Sequence, residues 1–309
     1  SSEVESPHQI KVAPDGEYWY TIFFVGSTIE KYNAENDQHV GSVTIGEGSW
    51  NTFRISEDGK IAVIVDWNAN GSIAVVDLDN MKLIERYQGS SRFVWPHGSY
   101  LNKKSTQIYV TAQHGNFIYK IDITDVSNPI TTKVSLNKFA PTTVPFLDPH
   151  EIEMTPDESM YFLTCQKTNE IRVMKTSNDS LLAVWPSGEF PQEMALSEKD
   201  NLLFVTCTED AITYPGKTGS VYIYDYQKME FVKSMYTGIQ PHGITVDEKE
   251  NKVYIAHRNV SESGPTPHHS SSCEGRNGFV VAIDLESLEL QSDYKVEVGV
   301  DPYGMGIRN

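Results

Sequence analysis

Four histidines follow a proline at the same place in a repeating unit, in SPHQI, WPHGS, DPHEI and QPHGI: His8, His97, His150 and His242. Neutral imidazole is a nitrogen donor for copper and zinc, so several of them aimed at one point would hold a transition metal. A second group of donors stands in PTPHHSSSC, where His268 and His269 precede Cys273 by a few residues. Imidazole with thiolate suits copper or zinc, whereas carboxylate-rich sites suit calcium or magnesium. The soft sulfur leans toward copper, with zinc as the alternative. The candidate metal ligands are therefore His8, His97, His150, His242, His268, His269 and Cys273.

The spacing of these histidines leads back to the elements that carry them. Counterpart positions in the chain are His8, Asn51, His97, His150, Gln192, His242 and Tyr303, at intervals of 43, 46, 53, 42, 50 and 61 residues. A period of ~40–50 residues is that of a propeller blade. Each copy begins with a short strand at the anchor (HGITV), then a polar turn (DEKEN) and an alternating strand (KVYIAH). A third strand commonly ends in Asp (SIAVVDL, SVYIYDY), and a fourth follows (FVKSMYTG). Short β-rich runs without helical periodicity point to an all-β array, because a lone blade cannot bury both its faces. Two β-sandwiches would fit this regularity less well.

The expected fold is one all-β domain over residues 1–309, a β-propeller of four-stranded blades. Seven blades are favoured and six are the runner-up. The last repeat, from Tyr303 to Asn309, has room for one strand, so its blade would need strands from before Ser1 or from a partner. The anchors would line the mouth of a central channel. The ends of the second strands, at Asp66, His114, Cys165, Cys207 and His257, would surround the same mouth. So would insertions at about 209–219 and 258–278, the second closing over the anchors. Cys165 and Cys207 read as small buried strand residues, or as a disulfide pair.

The repeat resembles the YVTN-type seven-bladed propellers; IYVTAQ at 108–113 nearly spells the motif. Within that group, SPHQIKVAPDGEYWYTIFF is similar to the propeller domain of nitrous oxide reductase, whose inner-strand histidines hold a copper cluster. The resemblance implies a periplasmic, cell-surface or secreted setting and copper as the cofactor. The chain shows no cupredoxin segment with its second copper centre, and three anchors are not histidine. Metal binding, acquisition or delivery is therefore expected, with an envelope protein as partner, ahead of a copper-dependent oxidoreductase.

A net charge of −17 speaks against a nucleic-acid partner, which needs a basic surface. No apolar run reaches the length of a transmembrane helix. No paired carboxylates or nucleophile–base motif stand out. The competing reading is a protein- or glycan-interaction scaffold without metal, in which the histidines bond neighbouring blades.

Overall fold

The computed structural model describes residues 6–89, 92–136, 142–259, 277–299 and 301–308. Among them the chain forms six sheets, each of four strands in sequential antiparallel order. It is a β-propeller of six four-stranded blades. The seventh blade is not formed, because residues 301–308 contain no strand. The last repeat contributes its anchor alone: Tyr303 stacks on His242, with ring centroids 3.7 Å apart.

The chain divides into two compact units. The first runs to Ile152 and takes in Arg308, whose guanidinium donates to the Ala34 carbonyl at 3.0 Å. The second runs from Glu153 to Ile307.

Strand alternation explains how the blades pack. In blade 2 the second strand, Ile61–Asp66, sends Ala62 and Ile64 into a core shared with blade 1, and Val63 and Val65 into a core shared with blade 3. Because side chains alternate with period two, one strand faces both neighbours, and its run IAVIV is apolar throughout. In the second unit, blade 5 does the same with Leu203 and Val205 on one face and Leu202 and Phe204 on the other. The outer strands are mostly exposed edges. Five carry charged residues, such as Lys82, Glu85 and Arg86 in KLIERY, but Ser180–Pro186 (SLLAVWP) carries none.

The inner strands begin at Pro7, Trp50, Pro96, Pro149, Pro191 and Pro241. Wherever that first residue is proline, the residue before it has positive φ: Ser6, Trp95, Asp148, Phe190 and Gln240, and likewise Asp301 before Pro302. Proline disfavours the right-handed helical region for its predecessor, and an L-residue with left-handed backbone costs roughly 1–2 kcal/mol. The repeated strain makes a sharp, fixed turn into the strand.

Phe53 is fully buried in the core between blades 1 and 2. Phe53→Ala should cost about 3–5 kcal/mol, read from the urea midpoint of an unfolding curve.

Candidate metal centre

Five anchors, His8, Asn51, His97, Gln192 and His242, sit in irregularities of their ladders. In blade 1, Pro7 pairs with Phe23 and Gln9 with Ile22, so His8 is an extra residue. Blade 2 does the same at Asn51, between the pairs Trp50–Asp66 and Thr52–Val65. In blade 3 His97 and Gly98 together oppose Thr111, and in blade 6 His242 and Gly243 together oppose Ala256. Gln192 occupies the same place in blade 5. A β-bulge re-aims a side chain that the pleat would otherwise fix. Threonine hydroxyls tie each bulge to the next: Thr52 donates to the His97 carbonyl at 2.6 Å, Thr111 to that of His150 at 2.7 Å and Thr206 to that of His242 at 2.9 Å.

The four anchor histidines are all buried. His8 Nδ1 lies 2.6 Å from the Asn51 carbonyl, and His242 Nδ1 lies 3.2 Å from that of Tyr303. Both are bonds to the anchor of the following repeat, and His97 likewise bonds the backbone of His150. As His242 and Tyr303 do at 3.7 Å, His97 and His150 also pack ring on ring, with centroids 3.8 Å apart. Beside them the Glu151 carboxylate lies 3.2 Å from His97 Nδ1. One donor atom from each of His97, His150 and Glu151 falls within 4.8 Å of the others, and all three residues are buried.

Burial pushes His97 down to about 3, against an opposing pull from Asp148, so its imidazole is uncharged near neutral pH. An uncharged imidazole can offer a lone pair. With bond lengths near 2.0–2.1 Å, two donors on a tetrahedral ion stand about 3.3 Å apart, which the His97–Glu151 separation matches.

Glu151 is the residue that sequence reasoning passed over. The residue after the anchor is Gly98 in blade 3 and Gly243 in blade 6, but Glu151 in blade 4. The glycines are demanded by close approach. A Cβ on Gly98 would meet the His150 carbonyl at 2.5 Å and the Glu151 Cα at 2.6 Å, and one on Gly243 would meet the Tyr303 carbonyl at 2.5 Å.

The other candidates are distributed differently. His268, His269 and Cys273 lie outside the described residues, as does most of the 258–278 insertion. Cys165 and Cys207 are buried and are not joined to each other by a disulfide. Burial pushes the Cys207 thiol up, away from thiolate chemistry. Asp66 is held by the Ser49 amide, the Ser72 hydroxyl and Arg86, a structural role. His257 stacks on Phe279 at 4.6 Å and meets Thr237 Oγ1 through Nε2 at 3.0 Å. Arg258 forms a buried pair with Asp301 through both Nε and Nη2.

No family model matches the chain, and no curated protein matches it. Solved structures do. Kuenenia stuttgartiensis hydrazine synthase superposes with a TM-score of 0.73 at 15% identity, over 100% of this chain and 91% of that one. A functionally unknown protein from Desulfotomaculum acetoxidans DSM 771 gives 0.71 at 15% identity, over 98% and 89%. The β-propeller domain of Cps50 (Swd1) from Myceliophteria thermophila gives 0.75 at 9% identity, over 99% and 91%. At such identities the likeness is one of fold, and it places the chain among the β-propellers.

Two predictions follow from the site's packing. Gly98→Ala should lower stability, because its Cβ would overlap the His150 carbonyl and the Glu151 Cα, seen as a lower melting temperature. The second concerns acid. Burial pushes His257 down to about 3 from an ordinary 6.5. The unfolded chain then binds a proton below pH 6.5 that the folded chain refuses until about pH 3. Stability should fall as pH drops through that window, and His257→Gln should flatten the slope in urea titrations at stepped pH.

Proposed function

We propose that this protein is a metal-binding β-propeller whose ion is held by His97, His150 and Glu151. The supporting observation is the convergence of three buried donor atoms within 4.8 Å. Two imidazoles and a carboxylate suit Cu(II) and Zn(II), and copper wins where both compete at one nitrogen–oxygen site. The low dielectric of the interior strengthens attraction between the Glu151 carboxylate and a divalent cation. Three protein donors leave part of the coordination sphere to a small ligand or a donor from elsewhere. Acquisition or delivery of the ion is preferred to turnover, and an envelope or exported setting accords with the motif resemblance to YVTN-type and nitrous oxide reductase propellers.

One observation favours the metal-free scaffold reading. His8, His97 and His242 each bond the backbone of the following anchor, so three of the four Pro-His repeats have a structural use.

Elemental analysis of protein purified without a histidine tag or chelator separates the readings. Under the metal reading, stoichiometric copper or zinc is retained, and His97→Ala, His150→Ala and Glu151→Gln each weaken Cu(II) binding in calorimetry by about tenfold or more, an effect of the size seen when a ligand or its orienting partner is lost. Equal Cu(II) affinity in all three variants would remove the site. Loss of binding only in a His268→Ala/His269→Ala variant would move it to the insertion.

A further inference from the structure

The first unit carries a run of aromatic side chains outside its cores. In blades 1 and 2 the residue directly after the second strand is Phe24 or Trp67; in blade 3 it is Gln113, followed by His114. The counterparts in blades 4, 5 and 6 are Gln166, Thr208 and Arg258, so the rings belong to one half of the repeat series. Trp95 joins them from the strained turn before Pro96, where its φ is 48°.

The rings touch in sequence. Phe24 and Trp67 have centroids 6.0 Å apart, Trp67 and Trp95 4.8 Å, and Trp95 and His114 5.3 Å. The planes are tilted by 42° and 53° and then stand at 83°, so the faces do not form one flat slab. All four side chains are half-buried, beside exposed Val25, Asn68 and Asn70. Their polar edges are fixed within the cluster. The Trp67 indole N–H donates to Gln113 Oε1, and the His114 amide donates to the Asp148 carboxylate.

We infer that this aromatic cluster is a binding site for a small alkylated ammonium ion. Aromatic faces attract cations through the ring quadrupole, tryptophan most strongly. The cluster contains no lysine or arginine and has the Asp148 carboxylate behind His114, 3.6 Å from Nδ1. The chain's charge of −17 attracts a cation at longer range. An alkylated ammonium presents apolar methyl surface, so aromatic contact also gains from the hydrophobic effect, which an inorganic cation or a bare ammonium would not. Anions are disfavoured by the same charge. A sugar would stack on the same rings and bond the exposed Asn68 and Asn70 amides but would gain nothing from the negative charge, so maltose is the competing ligand in the test.

The inference is independent of the metal reading, and its test uses chelator-treated protein so that the two fail separately. Choline is titrated against its neutral isostere 3,3-dimethylbutan-1-ol, and against maltose, with tryptophan fluorescence and calorimetry as readouts. Choline should bind at least about tenfold more tightly than the isostere, and added salt should weaken it. Trp67→Ala and Trp95→Ala should each lower choline affinity severalfold, and Trp67→Phe should restore part of it. Unchanged circular dichroism and melting show that the variants remain folded. Equal affinity for choline and the alcohol, binding of maltose instead, or no saturable response to choline would each overturn the inference. So would undiminished affinity in both folded alanine variants.

Discussion

The architecture depends on how each inner strand starts. A residue forced into left-handed backbone, a proline and an unpaired extra residue follow one another at Trp95-Pro96-His97 and again at Gln240-Pro241-His242. The turn fixes the direction of the strand, and the bulge frees the anchor from the alternation that governs the residues after it. A plain strand start would commit His97 to one face of the pleat. The bulge lets it lie ring on ring with His150 while its carbonyl accepts from Thr52. The same device is a general way to detach a side chain from its sheet.

The device is reused along the chain. At His8, His97 and His242 the imidazole reaches the backbone of the next repeat and acts as a fastener. Beside His97 and His150 a carboxylate is added. Where blades 3 and 6 have glycine after the anchor, blades 4 and 5 have Glu151 and Glu193, and Glu151 enters the space beside two imidazoles. A repeat protein can acquire a site in this way through few substitutions, since the turn that aims the side chain recurs along the chain.

Much of the fold was legible because the repeat is regular. The polar turn after each inner strand and the Asp ending SIAVVD and SVYIYD located four strands per copy, as found. The blade count was less legible. Tyr303 bears the mark of a seventh anchor, yet it packs against His242 without a strand of its own, and six blades form. The Pro-His pattern identified where chemistry could sit but could not separate fastener from ligand, because both begin with the same motif and differ in what faces the ring. Glu151 was missed because the position after the anchor varies, reading Gln9, Thr52, Gly98, Glu151, Glu193 and Gly243, and so carries no fixed signal.

The six outer edges are not equivalent in composition, and that difference gives the molecule a direction. Charges on an edge strand discourage another chain from adding to its free amides and carbonyls. Five edges have that protection, while SLLAVWP presents Leu181, Leu182 and Val184 about half exposed with no charge beside them on the strand. On a chain that otherwise repels its copies through a charge of −17, this one edge is where a foreign strand would meet the least resistance.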